Sequence, residues 1–227
     1  FYQPVADRMA RTLIERGFDP ERIVKIYNGM EFNRPEGEFD RAAYLRETYG
    51  AEIEEGDVLC GIAARLTAVK DIATTIRGFA EALKSAPQLR LFIAGDGEDE
   101  DMLKKLCDQL GVRERVTFCG WVSPVMPFFR AMDINLLSSV SETFPYSILE
   151  GVCAGCATIC SDVGGMPELI DTGENGYIFP VGDDKKLAEY MARLANDAAL
   201  RHTFAEALYA KASRDFSKDK MCERQEA

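Results

Sequence analysis

Two carboxylates, two cations and a set of glycines are the residues of this chain whose types and spacing could do chemistry. The stretch SSVSETFPYSILEGVCAGCATIC sets Glu142 and Glu150 around the start of a helix that follows a short apolar run, DINLLS. A helix start presents unpaired N–H groups and a partial positive charge, so it suits a phosphate, which carboxylates would repel. A ligand that is part phosphate and part polyhydroxyl reconciles the two. The amides of Thr143 and Phe144 can receive phosphate or hydroxyl oxygens, while Glu142, in the loop, and Glu150, about a turn and a half into the helix, accept hydrogen bonds from hydroxyls. Pro145 suits the first turn of that helix. Taken alone, the same spacing also describes two surface glutamates on a helix and its leader.

Other turns add to this pattern. ARLTAVKD follows an apolar run and places Arg65 and Lys70 at the entry to a helix, where a guanidinium and an ammonium could hold a diphosphate or stand solvated at the surface. In GDGEDE, Gly95 and Gly97 permit a tight turn and close backbone approach to a ligand. A dinucleotide fingerprint would want a third glycine where Glu100 stands, which weakens an oxidoreductase reading. FCGWVSP carries Trp121, the single tryptophan, beside Val122; the indole could cover a base or plug the edge of the core. Gly164 and Gly165 in DVGGMPELI offer amides or clearance, with Glu168 close behind.

The elements that must position these turns alternate along the chain. The runs DVLCGIAA, LRLFIAG, RVTFCG, DINLLS, ATICS and GYIFP are nearly continuous in apolar residues, as strands buried on both faces of a parallel sheet are. Between them lie stretches with helical spacing; in the first, Ile72, Ile76, Phe79 and Leu83 share a face and Pro87 closes it. Alternation of this kind predicts an α/β, Rossmann-like three-layer domain with a mostly parallel sheet of about six strands. Ligands of such sheets bind beyond the carboxyl ends of the strands, where all these turns fall. Residues 1–35 read differently: a helix from about Pro4 to Arg16, a strand in RIVKIYNGMEF and a linker in NRPEGEF, leaving residues 36–227 as the main domain.

Composition narrows the function. Twenty-seven Lys and Arg against 38 Asp and Glu give a net charge of −11, which argues against a nucleic-acid or anionic-membrane surface. No apolar run reaches the roughly 18 residues of a membrane span, and no signal peptide is visible. Seven cysteines, an odd number set mostly inside apolar runs, point to a reducing compartment, and Cys153, Cys156 and Cys160 read as small buried hydrophobes, with no fourth ligand nearby for a metal.

In their order, KIYNGMEF, ARLTAVKD, LFIAGDGEDE, VTFCGWV, the Glu142–Glu150 stretch with GENGYIF, and DFSKDKM resemble the donor-binding half of the retaining glycosyltransferases of family 4, which have the two-domain GT-B fold. The resemblance covers nearly all of the chain. It implies transfer of a sugar from a nucleoside diphosphate sugar to an acceptor hydroxyl, without metal or other cofactor. UDP-sugars are favoured as donors, with GDP- and ADP-sugars as alternatives. Arg65, Lys70 and Glu142 are implied as catalytic. Gly95, Gly97, Trp121, Val122, Thr143, Phe144 and Glu150 are implied as donor-binding, Glu150 toward the ribose and the Trp121–Val122 backbone toward the base. This family often has Gly where Pro145 sits and Ala where Gly151 sits.

The resemblance also implies a missing partner. The acceptor site belongs to an N-terminal domain of which residues 1–35 resemble only the last helix and strand, so the fragment alone is expected to bind donor without transferring sugar. Leu13, Ile14, Ile23 and Val24 are then expected to pack on this domain or on a second copy. A cytoplasmic enzyme of carbohydrate or cell-envelope polysaccharide synthesis is expected, with peripheral membrane association left to the absent domain. A sugar-nucleotide epimerase and a non-catalytic sugar-nucleotide sensor share the same architecture.

Overall fold

The computed structural model describes residues 1–226. In chain order the elements are α1 (Asp7–Glu15), α2 (Arg41–Tyr49), β1 (Val58–Ala63), α3 (Ile72–Ala82), β2 (Leu89–Ala94), α4 (Glu100–Gln109), β3 (Val116–Gly120), α5 (Met126–Ala131), β4 (Ile134–Leu137), α6 (Tyr146–Ala154), β5 (Ala157–Ser161), α7 (Met166–Leu169), β6 (Tyr177–Phe179), α8 (Asp184–Asn196), α9 (Ala198–Asp215) and α10 (Lys218–Glu226). Each of the six apolar runs forms a strand. All pairings are parallel, in the order β3-β2-β1-β4-β5-β6.

That order reverses between β1 and β4, because the chain first winds outward through β2 and β3 and then returns to wind the other way. Neither β1 nor β4 can be followed by a connection that crosses the gap between them. Their two following loops therefore border an open crevice at the carboxyl ends of the strands.

Alternate residues of β1 serve opposite layers. Cys60 and Ile62 join Ile72, Ile76 and Phe79 of α3 and Leu187 and Met191 of α8, while Leu59 packs with Phe92, Phe128 and Leu45 on the other face. A third cluster beneath α6 gathers Phe144, Ile148, Leu149 and Met166 with Phe216 at the end of α9. Gly61 is required by this packing, since a Cβ there would stand 2.5 Å from the Met132 Cγ.

The N-terminal segment differs in part from its sequence reading. The helix α1 forms, but in place of a full strand RIVKIYNGMEF makes only short parallel pairings: Tyr2 N–H donates to the Arg22 carbonyl, Val24 N–H to that of Tyr2 and Ile26 N–H to that of Pro4, with a second bridge between Met30 and Ser217. Its partners are the short N-terminal stretch of residues 2–4 and the start of α10, and it joins no edge of the six-stranded sheet. It packs on the main domain through Ala6 and Ile26, which are buried, whereas Ile14 and Val24 are 45% and 39% exposed.

Candidate functional site

The loop after β1 is tied by backbone hydrogen bonds to the end of β2 and the loop that follows it: Ala64 N–H donates to the Ala94 carbonyl, and Leu66 N–H to that of Asp96. This brings the loop so close to the next one that a Cβ at Gly95 would lie 1.9 Å from the Ala64 carbonyl oxygen, and one at Gly97 would lie 2.2 Å from that of Leu66. These two glycines thus have a structural duty as spacers of two site loops. Asp71, at a left-handed φ of 43°, caps α3 through Thr74. Aspartate tolerates this conformation better than most residues. The turn leaves Lys70 beside the crevice.

The loop after β4 supplies its counterpart. The Lys70 ammonium donates to Glu142 Oε1 across the crevice, and Ser139 Oγ donates to the same oxygen at 2.9 Å. The pair is largely sheltered, with side chains 26% and 11% exposed, so solvent screens it less than a surface pair. Oε2 of Glu142 has no hydrogen-bond partner among the described residues. The amides of Ser141, Glu142, Thr143 and Phe144 likewise have no acceptor among the described residues. Pro145 is the N-cap of α6, one position before the first turn expected for it, and no side chain caps the helix. Thr143 contributes backbone, and the Phe144 ring is core, stacked on Phe216 at 5.0 Å. Gly164 accommodates this loop, because a Cβ there would meet the Thr143 carbonyl oxygen at 2.3 Å.

Two clefts flank this centre. One, of about 310 Å³, is walled by Glu142, Thr143 and Gly164 on one side and by Arg8, Met9 and Thr12 of α1 on the other. The second, of about 250 Å³, holds Arg65, Gly95, Trp121, Val122, Ser147 and Glu150. Arg65 makes no ion pair among the described residues, and Trp121 is 75% exposed, so it does not plug the core. Glu150 also lacks a partner there, and burial pushes its carboxyl above the ordinary range. Arg65, Gly95, Trp121, Val122 and Glu150 therefore gather in one cleft and Glu142 and Thr143 in the other, with Lys70 joined to Glu142, while Gly97 lies against Leu66 and the Phe144 ring sits in the core.

Three site-supporting features have no clear sequence signal. Asn135 of β4 donates from Nδ2 to the Ser147 carbonyl at 3.1 Å, and it lies where a Gly151 Cβ would be, 2.2 Å from Nδ2. Glycine at 151 is thus the residue that lets α6 sit down on Asn135. Glu168, three residues beyond Gly165, is turned away from the crevice. It accepts from the Asp7 amide at 2.7 Å, from the Tyr27 hydroxyl at 2.6 Å and from Lys25 at 3.3 Å. Burial would lower Lys25, but its hydrogen bonds to Asp7, Tyr27 and Glu168 push it up. The third feature is Asn28, which donates to the Phe144 carbonyl at 2.8 Å and ties the N-terminal segment to the site loop. The clustered cysteines point to different elements: Cys153 Sγ toward the Asn33 carbonyl and Cys156 Sγ toward that of Phe129. Among the described residues no group of three His, Cys, Asp or Glu could hold a metal ion, and no helix is long and apolar enough to cross a membrane.

An open parallel sheet whose switch-point crevice is lined by cations, carboxylates and unengaged amides defines a Rossmann-like α/β domain with a polar ligand site. The chain belongs to the family described as glycosyl transferases group 1, whose profile matches residues 50–211. Among curated relatives, an uncharacterized glycosyltransferase of Methanocaldococcus jannaschii, MJ1607, is 33% identical over 192 residues, 80% of this chain and 47% of its own length. The putative glycosyltransferase EpsD of Bacillus subtilis is 31% identical over 185 residues, 82% of this chain and 48% of its own. The chain spans less than half the length of these relatives. The Anabaena protein HepE, solved in complex with UDP, superposes with a TM-score of 0.88 at 23% identity, covering 99% of this chain and 62% of that one. The isolated C-terminal domain of the group 1 glycosyl transferase LpcC of Francisella tularensis superposes at 0.72 with 25% identity, covering 82% of this chain and 96% of that one. The fold is that of the C-terminal Rossmann-like domain of GT-B glycosyltransferases.

Proposed function

We propose that this chain is the donor-binding half of a retaining, metal-independent glycosyltransferase that moves a sugar from a nucleoside diphosphate sugar, most readily a UDP-sugar, to an acceptor hydroxyl. The observation that carries this reading is the Lys70–Glu142 pair set beside four unengaged amides at the mouth of the crevice. Lys70 and Arg65 hold the diphosphate and stabilise the negative charge that grows on it as the sugar departs. The amides of Thr143 and Phe144 share that task, and the free Glu142 oxygen faces the sugar hydroxyls. In the second cleft, Glu150 accepts from the ribose, and the base lies against Trp121 and Val122. Gly95 and Gly97 keep the two loops close enough to bound the site.

The UDP in the HepE complex supports uracil as the base. The acceptor site lies on a further domain that residues 1–35 adjoin, so the 227 residues alone bind donor without transferring sugar. The free, mostly buried thiols suit a reducing cytoplasm, and any contact with a membrane falls to the further domain.

Calorimetric titration with UDP, GDP and ADP and their glucose, N-acetylglucosamine and mannose derivatives tests this reading. One nucleotide series is expected to bind, and Lys70→Ala is expected to weaken it by roughly a hundredfold, as loss of a charge from a sheltered anion site does. Undiminished binding by the variant would overturn the assignment.

A further inference from the structure

A buried hydroxyl is costly unless it is hydrogen-bonded, so a concentration of such groups under one turn calls for a reason. Thr75 of α3, Ser138 and Ser139 after β4, and Ser161 at the end of β5 are all fully buried, and all are linked by hydrogen bonds to Lys70 or Glu142 directly or through one another. They form two chains. Thr75 Oγ1 donates to Ser138 Oγ at 2.9 Å, and Ser138 Oγ donates to the Lys70 carbonyl at 3.0 Å. Ser161 Oγ donates to the Ser139 carbonyl at 2.7 Å, and Ser139 Oγ donates to Glu142 Oε1 at 2.9 Å. Adjacent serines thus serve different masters: one fixes the backbone that carries the ammonium, the other fixes one oxygen of the carboxylate.

We infer that Ser138 and Ser139 are positioning residues that tune the two halves of the donor separately, Ser138 through Lys70 for the diphosphate and Ser139 through Glu142 for the sugar. This rests on the donor-site reading given above. Ser139 occupies Oε1 together with Lys70 and so leaves Oε2 as the atom that meets a sugar hydroxyl. Without the Ser139 hydroxyl, only the mobile ammonium would orient the carboxylate, and the oxygen presented to the sugar would no longer be set. Removing the Ser138 hydroxyl leaves the Lys70 carbonyl and the Thr75 hydroxyl without their partner and loosens the turn that aims the ammonium.

Titrating the 227-residue chain with UDP and with UDP-glucose separates the two duties. Ser139→Ala is expected to weaken UDP-glucose by roughly tenfold while leaving UDP within about twofold. Ser138→Ala is expected to weaken both ligands in parallel, by roughly tenfold. Ser161→Ala, which reaches Glu142 only through Ser139, should repeat the Ser139→Ala pattern at smaller size, and it carries the test if Ser139→Ala does not fold. Conversely, if Ser139→Ala and Ser161→Ala shift both ligands by the same factor, or shift neither while Lys70→Ala still loses UDP, the division of duties is overturned. Should the unaltered chain fail to bind millimolar UDP, or Lys70→Ala bind it normally, the donor-site reading itself falls.

Discussion

Glu142 and Glu150 are separated by seven residues, yet they occupy opposite electrostatic environments. Glu142 is held by an ammonium and a hydroxyl on one oxygen, at a loop closed over by α1. Glu150 is half-buried without a partner among the described residues, and its carboxyl is pushed up by desolvation. The difference teaches how one helix start can serve a ligand of mixed character. On the paired side the carboxylate's charge is offset before any ligand arrives, so an anionic phosphate is tolerated nearby. On the unpaired side the carboxylate keeps its acceptor capacity free, assigned in the proposed donor site to a pair of hydroxyls.

The largest disturbance of this contrast acts on both sides at once. Gly151→Ala forces a Cβ into the Asn135 side chain and should lift α6, lowering stability by about 2–3 kcal/mol in urea unfolding; Asn135→Ala in the same chain should recover part of the loss. Next, the two glutamates should respond with opposite signs. Glu142→Gln removes the partner of a sheltered ammonium and should cost about 1–2 kcal/mol. Glu150→Gln should stabilise the chain at pH 7 by less than about 1 kcal/mol, because it removes a desolvated charge.

The pH dependence sharpens the same point. Burial raises the Glu150 carboxyl in the folded chain, so the folded state holds that proton more tightly than the unfolded one. The stability this group contributes is complete below its ordinary value of 4.5 and is lost as pH rises through the raised value. Denaturant midpoints measured across this range should show that component in the native chain and lack it in Glu150→Gln. The smallest effect is expected at Trp121: its replacement by Ala should change stability by no more than about 0.5 kcal/mol. With the only indole standing in the Glu150 cleft, added UDP should shift its fluorescence in the native chain, and an unchanged spectrum on saturation would place the base elsewhere.

The strands were legible because the four inner ones are buried on both faces and so have no polar alternation to blur them, as in LFIA of β2, and the edge strands β3 and β6 keep the same apolar character. The turns were legible for a related reason, since only strand ends of such a sheet can carry a ligand. What the residues could not reveal was whatever depends on contact between distant segments. Nothing in DINLLS shows that Asn135 will fill the space of an absent Cβ at Gly151. Nor does Glu168, one acidic residue after a double glycine, announce that it will bind the Asp7 amide and the Tyr27 hydroxyl. Gly95 and Gly97 stand out as glycines, but their clearance from Ala64 and Leu66 is a property of two loops. The strand expected in RIVKIYNGMEF is reduced to a short parallel pairing with residues 2–4, because β-rich composition alone does not set how long a partner the fold supplies.

The reversal of strand order between β1 and β4 bears on how the chain acquires its site during folding. Lys70 and Glu142 lie 72 residues apart, and neither loop faces the other until β4 has docked against β1. No hairpin can shorten that search, because every strand pairing is parallel and each crossover must be closed first. Non-local pairing of this kind is slow relative to helix formation. During refolding, helical signal should therefore return well before the ability to bind a ligand, and on a growing polypeptide the crevice has no second wall until β4 has emerged.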